Sequence, residues 1–475
     1  MGQVPAMFGK GRLLEELRRR LLSVAVLAVA ALVAVAFVGC GKSRNLNLLV
    51  ITIDTLRADY LGCYGYDRPT SPRIDAFARD AVLFEKTFCQ SPETLPSHAS
   101  IFTGLYPRTH KAISHESVVA PEVLTLAEVL KDRGYTTGAM ISSHVLDTKY
   151  GLNQGFDTYV PIHYLASERQ REEMLRREQD PTTDVALEWL RKNKDSKFFL
   201  WVHWFHPHRA YDPPPRYKQM FVGDYAGPAG DQNEFAMKVW QDKIDLPAAD
   251  VAYMRGLYAG EVAFTDAQVG RLLDELARLG LLDNTMVVIT SDHGEILYDH
   301  EYYFGHDIAL YDECTMVPLI VRIPGGGTPG RRVPGLVQSI DVFPTVLDAL
   351  SIKPPRPVEG KTLIPLVRGK AASTTAYGFA ETFPFPEKCP PRHAVRTENS
   401  KLIWREEPSG ELTKFYYDLA SDPGEKAGLY PAPAAMGLDQ VLSAWIAPGG
   451  LHPAPIPTAT ESGRWKILKS LGYVD

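Results

Sequence analysis

Cysteine is scarce in this chain: Cys40, Cys63, Cys89, Cys314 and Cys389 are the five among 475 residues. Their irregular spacing gives neither a zinc knuckle nor a disulfide scaffold, and no pairing follows from it. No repeat period runs through the 36 prolines and 37 glycines, which excludes collagen-like and solenoid architectures. Net positive charge is missing from the body of the chain. Net charge is −6, but the first 39 residues hold five basic against two acidic side chains, so the remainder carries −9. An acidic body is a poor electrostatic partner for nucleic acid, and DNA and RNA binding are set aside. A phosphate-binding P-loop is absent as well. Gly39-Cys40-Gly41-Lys42-Ser43 imitates its end, yet Ala36 stands where the motif needs glycine and no strand precedes it.

What is present begins with Leu21–Val38, an uncharged apolar run behind Arg18, Arg19 and Arg20. A basic region followed by an apolar one is an export signal. The run ends in Val38-Gly39-Cys40-Gly41, which resembles the lipobox of bacterial lipoproteins, whose cysteine is lipidated after cleavage. An uncleaved anchor is the alternative, because about 18 apolar residues can just span a bilayer. Either form leaves the body outside the cytoplasmic membrane. Residues 1–40 are therefore expected to be a signal or lipoprotein segment or a membrane anchor. The protein is expected in a bacterial cell envelope, tethered to the membrane and facing the periplasm or the cell surface.

The body opens with Asn47–Ile53, a run suited to a fully buried strand, and similar runs recur at Phe198–Trp204, Met286–Thr290 and Val317–Ile323. Helical patterns lie between them, at about Leu124–Lys131 and from Thr265, as N-cap, to Leu279, with Gly280 just beyond. Apolar strands alternating with amphipathic helices predict an α/β fold, a large sheet sandwiched between helices. Ligands gather at the carboxyl ends of strands in such sheets, and Asp54 and Asp292 each follow a predicted strand. Beyond residue 370 the texture changes: short strands at His393–Arg396, Lys401–Arg405 and Lys414–Tyr417 predict a small antiparallel sheet with helical packing. The expected division is a catalytic domain over 46–370 and a carboxyl-terminal subdomain over 371–475.

Four patches carry a resemblance: Val50-Ile51-Thr52-Ile53-Asp54-Thr55-Leu56-Arg57-Ala58-Asp59; Phe84 to Ser100, with Ser91-Pro92-Glu93-Thr94-Leu95-Pro96-Ser97-His98 at its centre; Thr290-Ser291-Asp292-His293-Gly294-Glu295; and Tyr417-Asp418-Leu419-Ala420-Ser421-Asp422-Pro423-Gly424-Glu425. In this order and spacing the chain resembles the sulfatase branch of the alkaline phosphatase superfamily, from about Asn47 to Leu471-Gly472-Tyr473. The resemblance implies an alkaline phosphatase-like fold and a metal site at Asp54, Thr55, Asp292 and His293. Two hard carboxylates with one imidazole suit Ca²⁺, Mg²⁺ or Mn²⁺, with Zn²⁺ possible. It also implies a nucleophile at Thr94, ahead of a helix whose N-terminus can cradle an anion. His208 and His306 then stand as catalytic groups able to protonate a leaving oxygen near neutral pH, and His98 and His144 as substrate-binding groups.

The chain also departs from the family. Classical members carry Cys-x-Pro-Ser-Arg, whose cysteine becomes formylglycine; here Thr94 replaces that cysteine, His98 the arginine, Ser142 a lysine and Thr55 one aspartate. Cys89 aligns with a second, non-catalytic cysteine. Threonine cannot form the aldehyde, so its ester must be cleaved by water or passed to an acceptor. Loss of two cations disfavours a dianion. The expectation is a metal-dependent hydrolase of a sulfate ester or phosphodiester, on a small-molecule or glycan substrate, acting by in-line attack of Thr94. The alternatives are a phospho- or sulfotransferase of envelope glycans or lipids, and an inactive anion- or glycan-binding pseudo-sulfatase.

Overall fold

The computed structural model describes residues 46–162, 178–229, 232–300, 304–383, 390–407 and 409–447. The amino-terminal segment 1–40, most of the loop His163–Pro181 and the closing Leu471-Gly472-Tyr473 lie outside them. No helix among the described residues is long and apolar enough to cross a membrane.

Eight strands form the main sheet: β1 (Asn47–Ile53), β2 (Val82–Phe88), β3 (Thr136–Ile141), β4 (Thr158–Pro161), β5 (Phe198–Trp204), β6 (Thr285–Ser291), β9 (Met316–Arg322) and β10 (Arg332–Gln338). Between β6 and β9 lies a two-stranded hairpin, β7 (Ile296–Leu297) with β8 (Phe304–Gly305). The order across the sheet is β10-β2-β9-β6-β1-β5-β3-β4. Neighbours are parallel except around β9, which runs antiparallel to both β2 and β6. The sheet is therefore mixed. β1, at its centre, buries all seven residues, and burial of each of its aliphatic side chains contributes about 1.5–3 kcal/mol.

The helices that matter for the site are α1 (Thr94–Thr103), α2 (Leu126–Lys131), α3 (Ala248–Arg278), α4 (Val342–Ala349) and α5 (Ala435–Ile446). Successive β1 residues point to opposite faces. Leu48 and Val50 pack with Trp201, α1 and α4, whereas Leu49, Ile51 and Ile53 pack with Val202 and α3. That is the layered α/β sandwich expected. α2 starts on a capping box in which the Thr125 side chain accepts from the Glu128 amide.

One helix differs from expectation. α3 begins at Ala248 rather than after Thr265, and Thr265 lies inside it, its hydroxyl donating to the His206 carbonyl at 3.3 Å. The small and apolar residues Gly256, Leu257, Ala259, Gly260 and Val262 continue the buried face toward the N-terminus, so no cap is needed at Thr265. The carboxyl end agrees, with Gly280 at a φ of 72°.

β11 (Gly378–Thr382), β12 (Arg392–Arg396), β13 (Ser400–Glu406) and β14 (Leu412–Asp418) form an antiparallel sheet in that order. α5 covers one face through Leu438 and Leu442 against Val395, Leu402 and Trp404. The other face packs Ala394, Ile403 and Tyr417 on Phe88, Leu310 and Leu336 of the main sheet region. The fully buried Lys401 ammonium joins the two sheets, 2.8 Å from Asp312 and 3.1 Å from Glu425.

Candidate active site

Three parallel strands end side by side. β1 lies between β5 and β6, with Thr52 level with His203 and Thr290, and Ile53 level with Trp204 and Ser291. Asp54 and Asp292 are the next residues after β1 and β6, so pairing alone brings them together. The Asp54 amide extends the ladder to the Trp204 carbonyl at 2.9 Å. Thr55 turns the chain in the left-handed region (φ 53°), a conformation that costs a non-glycine residue about 1–3 kcal/mol. Its amide donates to Asp292 Oδ1 at 3.3 Å, and the Leu56 amide to Ser291 Oγ at 3.0 Å. Gly294 lets the second turn pass against the Glu313 carbonyl, which would lie 2.0 Å from any Cβ placed there.

α1 delivers the nucleophile candidate. Its N-cap is Glu93, which makes no side-chain cap, and Thr94 is its first residue. Ser97 Oγ donates to the Asp292 carbonyl at 2.6 Å, tying α1 to the end of β6. Thr94 Oγ1 lies 3.3 Å from His293 Nε2. His98 holds this arrangement from below. Its Nδ1 donates to the Thr94 carbonyl at 2.8 Å, and its Nε2 lies 3.0 Å from Thr52 Oγ1. Because Thr52 Oγ1 already accepts from the Trp201 indole at 2.9 Å, its own proton goes to His98 Nε2. His98 is thus neutral with both nitrogens engaged, in keeping with a basicity lowered by burial.

Around Thr94 several buried polar atoms lack partners. Asp54, Asp292, His293 and His203 are all 0% exposed. Both Asp54 carboxylate oxygens, Asp292 Oδ2, the Thr55 hydroxyl and both ring nitrogens of His203 have no hydrogen-bond partner among the described residues. The Asp54 carboxyl is pushed well above the usual range by burial and then by the neighbouring Asp292 charge. A buried uncompensated carboxylate costs several kcal/mol, and a divalent cation would supply the missing charge. Asp54, Asp292 and His293 present one donor each, all within 4.8 Å of one another. This donor set fits the metal that the sequence resemblance implies.

A second group of histidines adjoins it. The His306 ring stands 4.2 Å, centroid to centroid, from that of His293. His306 Nδ1 faces the Pro92 carbonyl at 2.7 Å and Asp307 Oδ1 at 2.8 Å, while its Nε2 lies 3.2 Å from His208 Nε2. Burial alone would lower its basicity, but Asp307 lifts it to about 9. His208 is held well below its ordinary value by burial and by His306, and its Nδ1 donates to the Arg209 carbonyl at 2.5 Å. Its Nε2 is therefore an acceptor, and His306 Nε2–H points at it. Asp307 is held in turn by His115 at 3.3 Å. Of the pair, His306 is the one that holds a proton more readily.

Of the residues singled out in the sequence, Asp54, Thr55, Thr94, His98, Asp292, His293, His208 and His306 meet in one buried region. His144 is the remaining candidate. It opens the turn after β3, half-buried, with Nε2 3.3 Å from Lys149 Nζ. Sequence reasoning missed His203, a lone histidine in the apolar run of β5, and Asp307, which follows His306. The position of His203 opposite Thr52 was the available signal, and strand order was needed to use it.

The sequence model of the family Sulfatase matches residues 46–352, and that of the N-sulphoglucosamine sulphohydrolase C-terminal region matches residues 299–447. An arylsulfatase of Clostridium perfringens is 26% identical over 447 residues, spanning 81% of this chain and 90% of its own. A phosphonate monoester hydrolase of Agrobacterium radiobacter has a similar structure, with a TM-score of 0.70 and 24% identity over 84% of this chain and 94% of its own. Another similar structure was solved with its substrate D-glucosamine-2-N,6-O-disulfate, at a TM-score of 0.67 and 21% identity over 84% of this chain and 96% of its own.

Proposed function

The chain belongs to the sulfatase family, and on that premise we propose that it cleaves a sulfate ester or phosphodiester by in-line attack of Thr94. One observation carries the reading: Thr94 Oγ1 lies 3.3 Å from His293, next to Asp54 and Asp292 oxygens that are buried without partners. A divalent cation held by Asp54, Asp292 and His293 would lower the pKa of the Thr94 hydroxyl and offset charge on the transferred group. Thr94 Oγ1 gives up its proton to solvent and forms a bond to sulfur or phosphorus as the bond to the leaving oxygen breaks. His306, protonated and steadied by Asp307, gives its proton to that oxygen directly or through His208. Water finally cleaves the Thr94 ester and restores the hydroxyl.

Charge supports a singly anionic substrate. Arg57 is committed to Asp59 at 2.7 Å and Asp299 at 2.6 Å, and Arg209 donates to the Phe304 carbonyl at 2.6 Å. No lysine or arginine occupies positions 98 and 142. The similar structure bound to a disulfated glucosamine makes a sulfated glycan a reasonable first candidate. The test is a panel of aryl and sugar sulfates, phosphate monoesters, diesters and phosphonates, run with each metal and with an added alcohol. Turnover confined to monoesters would overturn the charge argument, and transfer to the alcohol in place of hydrolysis would make the protein a transferase.

A further inference from the structure

We infer that His203 is a fourth protein ligand of the cation held by Asp54, Asp292 and His293, giving two imidazoles and two carboxylates around one ion. The inference deepens the proposed function and rests on its metal site.

His203 sits in β5 opposite Thr52, so its side chain leaves the sheet on the face that carries α1. Its neighbours on that face of the sheet are satisfied locally: the Trp201 indole bonds Thr52, and His98 bonds Thr52 and Thr94. His203 is the exception. Both of its nitrogens lack a hydrogen-bond partner at zero exposure, and the carboxylate beside it, Asp54, has none either. Two orphaned groups of ligand type that face each other at zero exposure are explained by a shared ion.

Three of the donor pairs come near the spacing that one ion sets. Around an ion with ligands at about 2.0–2.1 Å in tetrahedral array, donors lie about 3.3 Å apart. His203 Nε2 is 3.5 Å from Asp54 Oδ2, His293 Nε2 is 3.4 Å from Asp292 Oδ2, and His293 Nε2 is 3.9 Å from Asp54 Oδ1. The ring nitrogens of His98 and His203 and an Asp292 oxygen also fall within 4.8 Å of one another, but His98 spends both nitrogens on Thr94 and Thr52 and is not a ligand. Two imidazoles shift the preference from Ca²⁺ or Mg²⁺ toward a first-row transition ion such as Zn²⁺.

The full chain, stripped with a chelator and reloaded with Zn²⁺, is the material for the test. X-ray absorption at the zinc edge should show two imidazoles, with one ion per chain; one imidazole, or two ions per chain, overturns the inference. Calorimetric titration should find Zn²⁺ affinity in His203→Asn down by more than about 100-fold, beyond the 10–100-fold that loss of an outer hydrogen-bond partner costs. His98→Asn should lose less. A folded His203→Asn chain that keeps wild-type affinity refutes the inference. If that variant does not fold, the absorption spectrum of the wild type decides alone. A wild-type chain that binds no divalent ion would sink the proposed function itself, which is a separate outcome.

Discussion

Thr94→Ala separates chemistry from folding. The substitution removes a hydroxyl 3.3 Å from His293 Nε2 and one methyl from a fully buried position. The lost hydrogen bond costs about 0.5–1.5 kcal/mol and the methyl a similar amount. A total of about 1–3 kcal/mol is well inside an ordinary stability of 5–15 kcal/mol, because Thr94 makes no side-chain cap and α1 stays anchored by Ser97. Loss of a nucleophile, by contrast, is expected to lower kcat by about 10⁴–10⁶-fold, or roughly 5–8 kcal/mol of transition-state stabilisation. Thr94→Ser should keep activity within about 100-fold of wild type, since the hydroxyl remains on the same helix position. Denaturant melts and kcat on the best substrate of the panel check both halves. Mass spectrometry of acid-quenched turnover should find the transferred group on the Thr94 peptide. Full turnover of every substrate by a folded Thr94→Ala chain would show that the mechanism is wrong.

Other perturbations reach different parts of the structure. His306→Gln should slow esters of poor leaving groups by about 10²–10⁴-fold and leave activated aryl esters nearly unchanged; equal losses on both would remove His306 as the acid. His206 is lowered by burial but lifted to about 9 by Glu261, 3.2 Å away. A folded-state pKa raised above the unfolded value means stability that is complete below about 6.5 and lost as pH rises through about 9. Melting temperature should fall over that window, and Glu261→Gln should flatten the fall; an unchanged slope would refute the pairing. Lys401→Met leaves Glu425 and Asp312 buried with less compensation and should cost about 3–5 kcal/mol in a denaturant titration. A loss below about 1 kcal/mol would mean that the cluster contributes little to joining the sheets.

Local pattern made much of this readable. Asn47–Ile53 and Phe198–Trp204 are continuous apolar runs because central parallel strands are covered on both faces, and they are strands β1 and β5 to the residue. Asp54 and Asp292 were recognisable because a carboxylate just past such a run sits where α/β sheets bind ligands. β2 was harder to read, since Glu85 and Lys86 interrupt its apolar sequence at half-buried positions. The first half of α3 escaped because its buried face is built from glycine and alanine as much as from large apolar residues.

The sequence by itself determined the family, the two turns that carry the candidate metal ligands and the candidate nucleophile, all of which depend on contiguous residues. Strand order was decided only in three dimensions, because nothing local in β1 specifies that β5 and β6 flank it. That order brings together Asp54, His203 and Asp292 at one sheet end. The placement of α1 and of the loop after β8 then sets Thr94 and His306 against His293. A lone histidine in an apolar strand reads as core until its neighbours are known. What gives His203 a chemical meaning is the unpartnered carboxylate 3.5 Å away, on a residue 149 positions earlier in the chain.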